Sequence, residues 1–244
     1  MKAQLAVLLS TLAASGVAMA QAQPAAPAPD YTLSFNVGAV TDYRYRGISQ
    51  SRLRPALQGG ADFSHSSGFY IGTWASTIKW IKDGGGDSNV EIDLYGGYKF
   101  SLGDFGLDVG ALRYFYPSSN LGVNPDTTEI YVAGTFGPAT LKYSHSTTNL
   151  FGFADSQNSG YLDLAGTFDT GFWGLTVTPH VGYQRVRNNS TFSYLDWSVA
   201  LGKDFGNGLT ASLAYVDTNT NDYRSPNNRN LGRAGLVLGV KYAF

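Results

Sequence analysis

From Tyr31 to Phe244, apolar residues recur at every second position, with few interruptions. Tyr31, Leu33, Phe35, Val37, Ala39, Thr41, Tyr43 and Tyr45 alternate with Thr32, Ser34, Asn36, Gly38, Val40, Asp42, Arg44 and Arg46. Side chains of a strand point to opposite faces in turn, so each such segment carries one greasy side and one polar side. The pattern returns at Leu57, Ala61 and Phe63, at Ile92, Leu94 and Tyr98, at Leu195, Trp197 and Val199, and at Leu236, Leu238 and Val240. It predicts roughly twelve strands, near 31–45, 53–64, 69–80, 89–100, 105–116, 127–136, 139–149, 160–169, 173–186, 193–204, 208–217 and 232–244. In 69–80 both faces carry apolar residues, and near Leu112 the apolar face switches sides, which predicts a bulge. Pro179 falls inside a strand and predicts a bulge or local distortion, since proline lacks a ladder donor.

Connections alternate between short (His65–Gly68, Ser101–Asp104, Gly137-Pro138, Thr170–Phe172, Phe205–Asn207) and long (Gly47–Arg52, Ile81–Ser88, Pro117–Asp126, Leu150–Ser159, Arg187–Phe192, Thr218–Leu231). That is the rhythm of a transmembrane antiparallel up-and-down β-barrel with short periplasmic turns and longer external loops, both termini lying on the short-turn side. Past the N-terminus no apolar run approaches the roughly 20 residues of a spanning helix, and a closed barrel is the other way to satisfy backbone polar groups in lipid. The rival all-β reading is a soluble β-sandwich, which buries the face assigned here to lipid.

Lys2, the apolar stretch Leu5 to Leu12 and Ala18-Met19-Ala20 read as a signal peptide over 1–20, cut before Gln21; the alternative is an N-terminal anchor helix. Residues 21–30, with Pro24, Pro27 and Pro29, read as an Ala/Pro-rich periplasmic linker, leaving 31–244 as the barrel. The absence of cysteine removes disulfides and thiolate metal sites. A net charge of −1 offers no basic surface for nucleic acid.

Val40-Thr41-Asp42-Tyr43-Arg44-Tyr45-Arg46-Gly47-Ile48-Ser49-Gln50 resembles the TorF-like family of porins. So do Gly68 to Ser76, Tyr194-Leu195-Asp196-Trp197 and Ala214-Tyr215-Val216-Asp217-Thr218. The resemblance runs through nearly all of the mature chain and implies an outer-membrane barrel of porin type. It carries over no functional residue.

The polar face supplies the candidate pore lining. Its acids are Asp62, Glu91, Asp93, Glu129, Asp163 and Asp196, with Asp42 beside them; its bases are Arg44, Arg46, Arg54, Lys99, Lys142, Arg233 and Lys241. In a wet lumen such groups set ion preference. The alternative is that they pair across strands and plug the interior. Arg44, Arg46, Arg52 and Arg54 flank the first external loop and, if they converge, can attract carboxylates or phosphates, or bind lipopolysaccharide.

Val240, Tyr242 and Phe244 form an alternating aromatic C-terminus of the kind that hands barrels to the membrane-insertion machinery. A lipid hydrolase is the enzymatic alternative, resting on His145 between Ser144 and Ser146, with His65 and His180 as further histidines; no G-x-S-x-G is present. Asp83-Gly84-Gly85-Gly86-Asp87 matches no EF-hand spacing and reads as a solvated loop. The expected function is therefore an outer-membrane channel for passive diffusion of small polar or charged solutes, without catalytic group, cofactor or metal. Outer-membrane lipid, lipopolysaccharide and the insertion machinery are its expected partners. A plugged barrel acting through its loops is the alternative.

Overall fold

The computed structural model describes residues 29–244. The signal peptide and most of the linker lie outside the described residues. Twelve antiparallel strands form one closed wall. In chain order they are β1 (Tyr31–Val40), β4 (Ala56–His65), β5 (Phe69–Thr77), β6 (Val90–Leu102), β7 (Phe105–Phe115), β8 (Thr127–Phe136), β9 (Ala139–Ser146), β10 (Gly160–Gly166), β12 (Leu175–Arg185), β13 (Tyr194–Asp204), β14 (Leu209–Thr218) and β15 (Gly235–Ala243). Each strand pairs with its sequence neighbour, and β15 pairs with β1 to close the ring. A hairpin of β2 (Arg44–Tyr45) and β3 (Ile48–Ser49) stands apart from the wall, and β11 (Phe168–Asp169) continues β10 after a break.

Followed once around the wall, the pairing register returns to β1 about 16 residues out of step, which with twelve strands gives a tilt of about 45° and a backbone radius of about 12 Å. Eight-stranded barrels are filled by their own side chains and sixteen-stranded ones hold open water; a twelve-stranded bore lies between, so what lies inside it decides whether it is open.

The outer face is apolar. Leu57 and Leu236 are each 66% exposed, Leu238 55% and Val240 53%, on strands whose alternate residues turn inward. A compact body that hid this face from water is excluded; lipid is the environment it suits. Aromatic pairs Tyr31–Phe63, Phe35–Phe244 and Phe105–Phe136 gird the short-turn end, with Trp197–Tyr215 nearer the other rim. The C-terminal Phe244 is tied into β1 by reciprocal backbone bonds with Phe35, both 2.9 Å.

Three local expectations change. The first strand ends at Val40 rather than at residue 45, because the chain after Thr41 turns into the barrel; Tyr43, read from the alternation as lipid-facing, is buried at 8% exposure. No bulge forms at Leu112. The register of β7 against both neighbours is unbroken, and Leu112, Tyr114 and Tyr116 instead pack on the infolded segment. Pro179 likewise leaves the β12–β13 ladder in register; the break falls on the other neighbour, between β10 and β11 at Gly166–Thr167, where Thr167 N–H donates to Pro138 O at 3.0 Å.

Candidate functional site: an infolded segment across the lumen

Residues 41–55 do not form an outer loop. They cross the long-loop end of the bore as the β2–β3 hairpin. Its turn, Tyr45-Arg46-Gly47-Ile48, has positive φ at both central residues (46° and 78°), as a two-residue hairpin turn of the primed type requires. Glycine at the second position is also demanded by space. A Cβ at Gly47 lies 2.5 Å from Thr218 Cγ2 and 2.7 Å from Asp196 Cβ, both on the wall.

Arg46 adopts a left-handed conformation uncommon for a side-chain-bearing residue, and its guanidinium is what holds it there. It donates to Glu129 Oε2 on β8 at 2.7 Å and to Gln184 Oε1 on β12 at 2.6 Å, and lies over the Tyr161 ring of β10 at 4.2 Å. One side chain thus grips three strands around the wall. Burial opposes its charge, the Glu129 carboxylate favours it, and the balance leaves its pKa above the ordinary guanidinium value.

Arg44 closes the hairpin on itself, donating to Asp42 Oδ2 at 2.5 Å and to the carbonyls of Gly47, Leu231 and Arg233. Asp42 also accepts from Ser49 Oγ at 2.5 Å and Ser51 Oγ at 3.1 Å. Tyr43 donates to Glu91 Oε1 at 2.5 Å, and Tyr116 donates to Glu91 Oε2 at 2.7 Å. Burial beside Glu91 pushes the phenol of Tyr43 well up. Around these bonds Tyr43, Ala56, Ile78, Ile81, Tyr114 and Tyr116 make an apolar core inside the barrel mouth, and Ile48, Tyr194 and Leu231 make a second. A helical turn, α1 (Trp80–Asp83), supplies Ile81 to the first.

Toward the short turns the lumen holds cavities lined by charged and polar side chains. A cavity of about 340 Å³ under the hairpin is lined by Arg46, Lys142, Tyr161, Asp163, His180 and Asp196. His180 Nε2 lies 2.8 Å from Asp163, and Tyr161 donates to Asp196 at 3.0 Å. A second, about 380 Å³, is lined by Tyr70, Trp74, Asp93, Tyr95, Lys99 and Lys142, among others. A third, about 460 Å³, reaches Lys241 near the termini.

Of the candidate lining residues, Asp62, Glu91, Asp93, Lys99, Glu129, Lys142, Asp163, Asp196 and Lys241 all lie on inward-facing strand positions. Glu91 and Glu129 are only 2% exposed and serve the infolded segment rather than the open bore. Arg44 and Arg46 are inside the barrel but in the hairpin. Arg54 and Arg233 are exposed at the long-loop end, outside every strand, and line none of these cavities. The four arginines of the first loop do not converge: Arg44 pairs with Asp42, Arg46 with Glu129 and Arg52 with Asp83, each neutralised separately.

Sequence reasoning missed the inward tyrosines. Tyr70 donates to Asp108 at 2.6 Å and Tyr95 to Asp62 at 2.5 Å. Tyr131 lies flat against Gly110, where a Cβ meets its hydroxyl at 2.5 Å. Glycines on the polar face of a strand, opposite tyrosines, were the available signal.

The hydrolase geometry is not present at His145. It faces outward, bonded to Tyr143 and Asn158, while Ser144 and Ser146 are buried on the inward side. His65 meets Ser67 at 2.8 Å in an exposed turn, and no carboxylate engages it among the described residues. In the Asp83–Asp87 loop, Asp83 pairs with Arg52 and Asp87 accepts from Asn120 at 2.7 Å.

A family model for bacterial proteins of unknown function, Gcw_chp, matches residues 22–244. The chain belongs to the Gcw_chp family. No curated protein matches the sequence. Among solved structures, this Gcw_chp barrel resembles a KdgM porin (TM-score 0.56, 10% identity, 86% of this chain and 99% of that one). It also resembles a KdgM porin in complex with disordered oligogalacturonate (0.55, 11%, 86% and 99%) and a NanC porin (0.55, 11%, 87% and 99%). At such identities the likeness establishes a shared porin-like barrel.

Proposed function

We propose that this Gcw_chp barrel is a non-enzymatic outer-membrane channel for small polar or charged solutes, with segment 41–55 as its constriction and the long loops outside. The observation that carries this reading is the series of charge-lined cavities that share lining residues from Arg46 down to Lys241. The resemblance of residues 40–50 to TorF-like porins supports it, as does the porin-like fold. Asp62, Asp93, Lys99, Lys142, Asp163 and Lys241 set its ion preference, Asp196, at 1% exposure, serves the infolded segment, and Val240, Tyr242 and Phe244 serve recognition by the insertion machinery. Arg54 and Arg233, exposed at the outer rim, suit lipopolysaccharide phosphates.

A second reading, the plugged barrel, is favoured by the burial of the Arg46–Glu129 pair, whose side chains are 7% and 2% exposed. Planar-bilayer recording of folded, heat-modifiable protein separates the two. Discrete conductance steps from the wild type are the expected result. Silence from the wild type, with steps only after residues 43–52 are replaced by a short Gly-Ser linker, establishes the plug.

A further inference from the structure

The chain has three histidines, and the barrel puts one of them inside. His65 sits in an exposed short turn and His145 faces outward. His180 lines the cavity of about 340 Å³ beneath the hairpin. Its Nε2 lies 2.8 Å from Asp163 Oδ2 and its Nδ1 lies 3.7 Å from Asp196 Oδ2. Carboxylates from both strands that pair with β12, namely β10 and β13, thus flank one ring. The Tyr161 hydroxyl joins them, 3.0 Å from Asp196 Oδ1 and 3.1 Å from His180 Nε2. The His180 side chain is 19% exposed, enough for protons to reach it from the cavity.

The other titratable groups of this cavity come from every element around it. The hairpin supplies Arg44, held by Asp42, and Arg46, held by Glu129 of β8. It also supplies the phenol of Tyr45, which meets that of Tyr114 on β7 at 2.6 Å. Strand β9 supplies Lys142, across the ladder from Asp163 and lying over the Tyr131 ring. Amines and phenols ordinarily titrate near about pH 10 and carboxylates near about pH 4. Imidazole is the side chain whose ordinary range falls between about pH 5 and 8. Because two carboxylates share the ring, the proton belongs to the cluster as a whole, and taking it up or losing it changes the charge facing the cavity by one unit.

We infer that His180, with Asp163 and Asp196, is a specificity-determining element of the channel: the proton held by this cluster sets the charge that a passing ion meets under the hairpin. With the proton, the ring offsets one of its carboxylates and the cavity admits anions. Without it, that carboxylate is uncompensated and cations are favoured. One unit charge within about 8 Å of a passing ion, even at the dielectric of water, changes that ion's partition by about twofold. The inference rests on the channel reading and deepens it, since it names the group at the constriction that sorts ions by sign.

The test is the potassium-to-chloride permeability ratio, read from zero-current potentials across planar bilayers in a potassium chloride gradient, from about pH 5.5 to about pH 9. In the wild type the ratio is expected to rise with pH by at least about twofold, along a one-proton curve. His180→Gln holds the ratio near its high-pH value throughout, and His180→Lys holds it near its low-pH value. A flat wild-type ratio overturns the inference. So does a rise that survives His180→Gln, which then belongs to another group such as Asp93, and so do two variants with the same ratio. Should the variants not fold, a protein carrying His65→Gln and His145→Gln, both outside the lumen, leaves His180 as the one imidazole signal in proton NMR. Its titration midpoint is expected to coincide with that of the permeability ratio, and separate midpoints overturn the inference. A folded protein that never conducts sinks the channel reading and this role with it, whereas one that conducts with a pH-independent ratio sinks this inference alone.

Discussion

The two halves of this lumen are built from the same strands and obey opposite rules. Toward the long loops the inward residues include Ile78, Tyr114, Glu91 and Glu129, all nearly sealed, with Glu91 held by Tyr43 and Glu129 by Arg46 of the infolded segment. Toward the short turns Lys99, Lys142 and Lys241 are set around open cavities, and the Lys99 and Lys142 ammoniums rest on tyrosine rings instead of carboxylates. One half is an interior and the other is a vestibule. The difference teaches that a barrel wall does not decide whether its bore is wet; the chain laid inside it does. If the sealed half is the barrier, perturbing it changes passage and stability together. If the open half is a vestibule, perturbing it changes selectivity alone.

The bluntest test removes the barrier. Replacing residues 43–52 by a short Gly-Ser linker deletes the hairpin and all its bonds, and single-channel conductance is expected to rise several-fold over the wild type. An unchanged conductance places the narrowest point elsewhere and breaks the contrast. A single-residue version is Arg46→Met, which strips Glu129 of its partner. Breaking a buried ion pair from one side costs about 3–5 kcal/mol, read as a lowered unfolding midpoint in detergent. The double variant Arg46→Met with Glu129→Met is expected to recover much of that loss, because it leaves no orphaned charge. A single variant of wild-type stability shows that the grip is not what holds the hairpin.

A geometric version is milder. Gly47→Val forces a branched side chain into a left-handed turn and against Thr218 and Asp196. The strain is about 1–3 kcal/mol, which the hairpin relieves by backing away from the wall. The expected signature is noisy, flickering current with a wall that still shows heat-modifiable mobility.

The same division explains what could be read from residues alone. The wall was legible because one periodicity, apolar at every second position, governs all twelve strands, and a single lipid-facing surface imposes it. The infolded segment was not, since Thr41, Tyr43 and Tyr45 continue that alternation past the last wall pairing at Val40. Alternation reports which way side chains point, not whether a neighbour strand is there to receive them. The face switch at Leu112 was visible, and its cause was an apolar core inside the barrel rather than a bulge. The arginines of the first loop looked like one cationic cluster because their counter-charges lie far off in sequence: Glu129 is 83 residues from Arg46, and Asp83 is 31 from Arg52. Only closure of the barrel brings them together.

The smallest expected effect is the sharpest on the vestibule side. Lys241 points into the bore near the termini, is exposed, lines a cavity of about 460 Å³ and makes no ion pair among the described residues. Nothing packed depends on it, so Lys241→Gln should change stability by no more than about 0.5 kcal/mol. Yet its charge faces the water through which ions pass. Removing it should move the zero-current potential in a salt gradient toward cation preference, by a few millivolts at most. The shift should shrink as ionic strength rises and the Debye length falls below about 10 Å. A loss of stability with no shift in potential means that this end is packed like the other. In that case the two halves are one interior, and the channel reading loses the half on which it stands.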